Sequence, residues 1–471
     1  MSGTKHTIII GGGLAGLSAG CILSRAGRPV SVFESDETVG GLSKTIVRGG
    51  FRFDLGGHRF ITKYPAIEAF VRSLMDGELV SVPRSSKIYM RGKYFDYPLK
   101  PANAMFGMGI PTTARIMADY GWEKARQLAG PKPLVSLEDW VVNKFGRTMF
   151  TIYFKEYSEK VWGIDCSRIS AEWVAQRIKG LSLSKAVKNA FFKFSGKDLP
   201  TLADGFLYPQ LGIGRIADRL KEEIERRDQV FTGTRVESIK HSGSRIEGIT
   251  VADRSGPRDV AGEEFISSMP VTTLVRMLRP AAPRKVLDAA SQLRFRDLVV
   301  VAVMIDRRRV TDQTWIYIPE QAIPFGRIHE PTNWSEKMAP PDKTLVVTEF
   351  FSFHGDPIWR RDDGALADVT IENLERLGFI QRNEVLDFAV VRVPKAYPLF
   401  EVGFREQGNV IYDYLSRFDN LHSAGRSGMF EYYNMDIAIK SGIETAERIM
   451  HQDAGPISCR EEADADERIT A

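Results

Sequence analysis

The chain has 471 residues, 43% of them hydrophobic, and its 64 basic and 60 acidic residues leave a net charge of +4. That near balance excludes nucleic acid as a partner, and the length supports two hydrophobic cores rather than one. Cys21, Cys166 and Cys459 stand far apart with no C-x-x-C pair, which argues against a metal site and a disulfide framework and fits reduced thiols in the cytoplasm. The first predicted element is the short apolar run Thr7 to Ile10. It flows into Gly11, Gly13 and Gly16, which have G-x-G-x-x-G spacing and open a helix that begins with Leu14 and Ala15. Gly11 permits a sharp turn, bare Gly13 lets a pyrophosphate approach the backbone, and Gly16 lets the helix pack close to the strand. The free N–H groups of the helix start then face phosphate. A second strand, "PVSVFE", ends at Glu34, about 20 residues on, the position of an acid that binds a ribose hydroxyl. Strand, glycines, helix, strand and acid in register predict a dinucleotide-binding unit. The glycines also break the apolar start, so it does not read as a signal peptide. No run approaches the roughly 18 apolar residues of a membrane span.

After Glu34 the chain passes through two glycine-rich turns, Gly40-Gly41 and Gly56-Gly57, within "SDETVGGLSKTIVRGGFRFDLGGHRF". This stretch resembles the start of the FAD-dependent amine oxidase superfamily, which includes protoporphyrinogen oxidases, phytoene desaturases and, more distantly, UDP-galactopyranose mutases. The resemblance returns in "ISSMP" (266–270), in "VPKAYPLFEVGFRE" (393–406) and in "HSAGRSGMFEYYNMDIAIKSGIETAERI" (422–449). It implies an α/β fold with a Rossmann-type, glutathione-reductase-like FAD-binding domain and an inserted α+β substrate domain. It also implies FAD contacts from the first glycine turn, from Gly41 and Leu42, from Gly56, Gly57 and His58 beneath the flavin ring, and from Val236 near the adenine end. Ser268 and the closing segment, with Gly425, Arg426, Met435, Asp436 and Ile437, complete the implied set.

The implied FAD domain is discontinuous, with pieces at 1–85, 201–270 and 400–452. In the second piece Gly212 and Gly214 precede a helix with apolar Ile216, Leu220 and Ile224, and then two strands about a polar turn. The substrate domain takes 86–200, reading mainly helical, and 271–399, reading as strands. Ser136 is the expected N-cap of one helix, with Asp139 at the acid position of a capping box. A sheet floor under helices suits a buried, mostly apolar pocket. The polar, acidic tail 453–471 reads as disordered.

Candidate catalytic residues are His58, Arg327, Tyr397 and Arg405. His58 either contacts flavin or substrate, its pKa being easily tuned, or only packs the glycine turn. Arg405 either pairs with a substrate carboxylate or phosphate through its rigid donor fork or makes a surface salt bridge with Glu401 or Glu406; Arg327 is a similar case. Lys395 lies on the same approach. Arg59 and Lys63 read equally as clamps or surface charge, and Tyr94, Phe95, Tyr97 and Lys100 as a packed loop or a substrate lining. Arg426 stands where many flavoproteins carry an acid; the resemblance there is to the mutases, with Tyr432 and Tyr433 following. The basic, aromatic stretch Leu181 to Lys197 reads as a solvated helix or a contact for lipid or an anion. The expectation is an FAD-dependent oxidoreductase moving hydride from an organic substrate to flavin N5. The alternative is a redox-neutral, mutase-like sugar isomerase using reduced FAD. The expected partner is a small molecule, anionic if the arginines bind it, with no metal. Membrane association is allowed but not required, and the state is monomer or homodimer.

Overall fold

The computed structural model describes residues 5–90, 92–97, 109–130, 132–177 and 205–453. A five-stranded parallel sheet holds the N-terminal run at its centre, in the order Leu421–Ser423, Glu264–Ser267, Thr7–Ile10, Val30–Phe33, Gln229–Phe231. Three distant stretches of chain therefore build one sheet. All four residues of Thr7–Ile10 are buried, as a parallel strand covered on both faces requires. Ile9 joins the core under helices Leu14–Arg25, Arg215–Glu225 and Met435–Asp453. Ile8 and Ile10 face the opposite core, beneath the antiparallel strands Arg235–Ser242, Arg245–Asp253 and Gly256–Ala261. Helix Arg215–Glu225 buries Ile216, Leu220 and Ile224, the stripe read from sequence.

A second sheet has seven strands, in the order Val385–Pro398, Phe295–Ile305, Thr344–Ser352, Arg327–His329, Trp315–Tyr317, Ser86–Met90, Lys93–Asp96. Its long strand Phe295–Ile305 is apolar on both sides. Leu298, Val300, Ala302 and Met304 meet the helices of 137–174, while Val299, Val301, Val303 and Ile305 pack with helix Asp363–Arg376. The floor is thus covered on both faces. Helix Leu137–Phe145 begins with the Ser136–Asp139 capping box. Two stretches differ from the sequence reading. The hairpin at 86–96, placed with the helical part, joins the sheet because its alternating pattern pairs with Trp315–Tyr317. Residues 271–292, read with the strands, form helices Val271–Met277 and Arg284–Gln292, whose apolar stripes pack into the core under the antiparallel strands. Most of the expected tail, Leu181 to Lys197 and Lys100 lie outside the described residues.

Asp54, fully buried, locks the hairpin that carries the second glycine turn. It accepts hydrogen bonds from Thr45 Oγ1 (2.6 Å), Tyr208 Oη (2.6 Å) and the Ile213 N–H (3.1 Å). One donor from the hairpin itself and two from residues 208–213 fix the strand that leads into Gly56–His58.

Candidate active site

The first glycine turn is shaped by what cannot be added to it. Gly11 has φ +107°, a conformation that side chains disfavour. A Cβ on Gly16 would stand 2.1 Å from the Gly11 carbonyl oxygen, so the helix reaches the strand only through glycine. At Gly13, the N-cap of helix Leu14–Arg25, an added Cβ would meet nothing within 4 Å. The backbone there is bare, and the first N–H groups of the helix are open to an anion. The second turn closes on the first, since the Gly40 N–H donates to Gly12 O at 2.8 Å and Gly41 lies against Gly13. Glu34, buried at the end of its strand, accepts the Gly12 N–H (2.8 Å) on one oxygen and the Asp36 N–H (2.9 Å) on the other. Ser35 Oγ also donates to the second oxygen, at 3.2 Å, so the oxygen bonded to Gly12 is the one that keeps acceptor capacity for a hydroxyl.

Around this turn stand the other cofactor candidates. Ser268 Oγ donates to Gly11 O at 3.2 Å. Gly425 has φ +76° and packs on Ala15. Val236 is buried on the strand that follows Thr234, whose N–H donates to Glu34 O. Leu42 packs against the substrate-side core. Met435, Asp436 and Ile437 open the last helix. Asp436 Oδ1 is buried with no hydrogen-bond partner. Such an acceptor is costly unless a donor reaches it, and FAD carries hydroxyl donors. Bare phosphate-sized backbone, a ribose acid and an orphaned acceptor fit an FAD dinucleotide.

The turn Gly56–His58 is pinned from the substrate sheet. Glu349, fully buried, accepts the Gly57 N–H at 3.1 Å and Arg327 Nη1 at 3.0 Å. A Cβ on Gly57 would fall 1.2 Å from the Trp315 ring, so the indole lies directly on the turn. Arg327 also donates to Tyr157 Oη (3.0 Å) and Tyr397 Oη (3.3 Å). Burial opposes its charge, but Tyr157, Glu349 and Tyr397 hold it protonated. Burial raises the phenols: Tyr317 is pushed up to about 12, and Tyr157 and Tyr397 move the same way. His58 Nδ1 lies 3.2 Å from Gly56 O. Burial, then the charges of Arg426 and Arg327, push its pKa down to about 4, so the ring is neutral at pH 7. His329 lies near-parallel to Trp315 (5.2 Å) and Trp334 (4.9 Å), which also touch each other, and is likewise held neutral, at about 3, by burial. Its 3.9 Å approach to Glu349 is therefore no ion pair.

The structure brings His58, Arg327 and Tyr397 together and sets Arg426 beside them. Arg426 donates to Tyr433 O (2.7 Å) and Ala396 O (3.3 Å), with its guanidinium over Tyr432 and Tyr397. Arg405 requires a correction. It begins helix Phe404–Leu415, is 41% exposed, and is paired with Glu172 and Glu431. Two carboxylates already match its charge, and it makes no hydrogen bond to Arg327, Tyr397 or His58. The salt bridge is real, but its partners are neither Glu401 nor Glu406. Lys395 donates to Thr273 Oγ1 at 2.6 Å, away from the arginine group. Lys63 lies over Tyr64, Tyr94 is exposed, Phe95 is buried, and Tyr97 lies 4.5 Å from Tyr317 with tilted rings. Sequence reasoning missed Glu349, Tyr157, Trp315, Tyr317 and Arg84. Glu349 did leave a signal, as the lone carboxylate within the wholly buried strand Thr344–Ser352. Tyr157 follows the π-helical turn Phe150–Lys155, an irregularity common at functional sites.

This geometry defines a dinucleotide-dependent enzyme whose cofactor domain meets a charged, aromatic-lined substrate sheet. The chain matches the flavin containing amine oxidoreductase family over residues 14–450 and belongs to it. It is a flavin-dependent enzyme, and its cofactor is FAD. It resembles the structure of reduced UDP-galactopyranose mutase, with a TM-score of 0.83 and 22% identity over 95% of this chain and 94% of that one. It also resembles cyclohexylamine oxidase from Brevibacterium oxydans IH-35A, with a TM-score of 0.67 and 15% identity over 96% and 100% of the two chains. Among curated sequences it is 39% identical over 71 residues to L-amino acid oxidase Cdc18 of Crotalus durissus cumanensis. That match spans 15% of this chain and 14% of the relative's length. Among the described residues no helix is long and apolar enough to cross a membrane, and no group of His, Cys, Asp and Glu is arranged to hold a metal ion.

Proposed function

We propose that the protein is a redox-neutral isomerase of a nucleotide sugar, working with reduced FAD. The observation that carries this reading is the charge around the Gly56–His58 turn. Arg59, Arg84 and Arg327 lie along one row of aromatic rings, and among the described residues Glu349 is the one carboxylate paired with any of them. Guanidinium groups in a low-dielectric site repel a protonated amine and attract a phosphate-bearing substrate. The side chains at the turn, His58, Tyr317 and Tyr397, are poorly suited to exchange a proton at neutral pH. His58 is neutral with a pKa of about 4, and the phenols of Tyr317 and Tyr397 are raised. A nucleoside diphosphate leaving a sugar needs positive charge more than it needs a proton.

Gly11 to Gly16, Glu34 and Asp436 would hold FAD, which in its reduced form would supply nucleophilic chemistry at the sugar carbon, the nucleoside diphosphate leaving and re-adding with no net change of oxidation state. The residues of this chain do the rest. Gly11, Gly13 and Gly16 bind the dinucleotide through the backbone, and Glu34 and Asp436 accept from its hydroxyls. Glu349 fixes Arg327, and Arg327 orients the phenols of Tyr157 and Tyr397 toward one another's neighbourhood. The aromatic floor of Trp315 and Tyr317 excludes water.

A second reading, hydride removal from an anionic substrate such as a carboxylate-bearing amine or porphyrinogen, draws support from the family and from the local match to an amino acid oxidase. The test is product analysis of UDP-hexoses incubated with oxidised and with dithionite-reduced holoenzyme. The proposal expects isomerisation only by the reduced form. No conversion in either state, together with bleaching of the oxidised flavin by an amino acid or porphyrinogen, would replace it with the second reading.

A further inference from the structure

The arginines near the second glycine turn divide into matched and unmatched groups. Arg327 faces Glu349, Arg405 faces Glu172 and Glu431, and Arg426 is bonded to two carbonyls. Arg296 is bonded to Val161 O (3.0 Å) and Phe351 O (3.0 Å). Arg59 and Arg84 are different. Nη1 of Arg59 and Nε of Arg84 are buried without a hydrogen-bond partner, and neither side chain has a carboxylate partner among the described residues. Arg59 follows the Gly56–His58 turn, and its guanidinium stands 5.5 Å from the Trp315 ring and 5.9 Å from Phe206. Arg84 lies between the strands Leu79–Pro83 and Ser86–Met90, 5.1 Å over Tyr97. Tyr97 lies 4.5 Å from Tyr317 with the rings tilted by 46°, and Tyr317 is 6.0 Å from Trp315. The two forks therefore stand at the two ends of one row of rings, Tyr97–Tyr317–Trp315, while Arg327, paired with Glu349, stands 5.7 Å from the Trp315 ring.

The buried donors Arg59 Nη1 and Arg84 Nε raise the free energy of the site, because each desolvated N–H goes unpaired and the two cations repel each other. Burial depresses the pKa of Arg59, with Arg84 and Arg327 adding to the effect. A ligand with several anionic oxygens relieves both costs. One carboxylate serves one fork, whereas two adjacent phosphoryl groups serve two. We propose that Arg59 and Arg84, over the floor of Tyr97, Tyr317 and Trp315, form the diphosphate-binding site of this enzyme. Arg327, whose charge Glu349 already meets, instead positions the phenols. This assignment rests on the nucleotide-sugar reading and goes beyond it by naming which cations hold the phosphates.

The test is calorimetric titration of the FAD-loaded protein with inorganic pyrophosphate, UDP and uridine. Pyrophosphate and UDP should bind wild type, and Arg59→Gln or Arg84→Gln should each weaken both by about ten- to a hundredfold. FAD content and any binding of uncharged uridine should not change, and Arg84→Lys should recover part of the loss. Arg405→Gln serves as the control and should bind all three as wild type does. Failure of wild type to bind pyrophosphate, or unchanged affinity in both Gln variants, overturns the site. The two proposals separate cleanly. Binding through Arg59 and Arg84 without isomerisation of any UDP-hexose keeps the site and removes the mutase reading. Isomerisation with undiminished kcat/KM in both variants does the reverse.

Discussion

At the first glycine turn the contacts offered to a ligand come from the main chain, and the side chains that matter are those left out. At the second turn, Gly56–His58, they come from side chains on elements far apart in sequence: Tyr157, Trp315, Tyr317, Arg327, Glu349 and Tyr397. The first region is intolerant of volume and the second intolerant of lost charge. A backbone site can be kept by a handful of glycines while everything around it drifts. A side-chain site depends on pairs such as Arg327 with Glu349, where the loss of either partner strands the other.

The largest effect should follow from adding volume at the first turn. Gly16→Val would drive a Cβ to 2.1 Å from Gly11 O; overpacking of this kind costs about 1–3 kcal/mol or more and should leave a protein that purifies without FAD, as the flavin absorbance of the purified protein will tell. Full FAD content in that variant would mean that the turn is not the cofactor's. Next comes the removal of a charge from the second turn. Arg327→Ala strands Glu349 fully buried, and breaking a buried pair costs about 3–5 kcal/mol, read as a lower denaturant midpoint with FAD content retained. Arg327→Met should cost no less, since it too leaves Glu349 unpaired; the double change Arg327→Met with Glu349→Gln should recover stability.

His58 gives a smaller, pH-dependent effect. Its folded pKa of about 4 lies below the unfolded value, about 6.5. Between these values the unfolded chain takes a proton that the folded chain refuses. The stability present above pH 6.5 is therefore lost as pH falls from about 6.5 toward 4, by about 3 kcal/mol at most. His58→Asn should flatten the stability profile over that window, and identical slopes for the two proteins would rule out a buried, neutral His58. The smallest effect belongs to Arg405→Ala. Its pairs with Glu172 and Glu431 are partly exposed, so stability should fall by about 0–1 kcal/mol, with substrate affinity unchanged. A large loss of affinity would return Arg405 to the active site.

The contrast also explains what could be read in advance. A strand, glycine turn, helix and acid are local, so Gly11 to Glu34 announce themselves within one unbroken stretch. The closing segment with Gly425 and Asp436 is equally local. The Arg327 cluster is not, because its members are joined only by strand register: Arg327 lies opposite Glu349 across an antiparallel pair, and nothing in either sequence names the other. Arg405 misled for the same reason. A lone arginine near an FAD segment looks like a clamp until the fold supplies Glu172 from a helix more than two hundred residues away. Arg84 went unremarked because its chemistry lies in having no partner, which sequence does not display.

The central claim, a charged site that works without net electron transfer, is tested most directly by following flavin absorbance through an anaerobic incubation of reduced holoenzyme with UDP-hexose until products form. The account predicts that the sugar is isomerised over many turnovers while the flavin remains reduced at the end. Reoxidation of the flavin in step with product, or a substrate that bleaches the oxidised enzyme mole for mole, would contradict it.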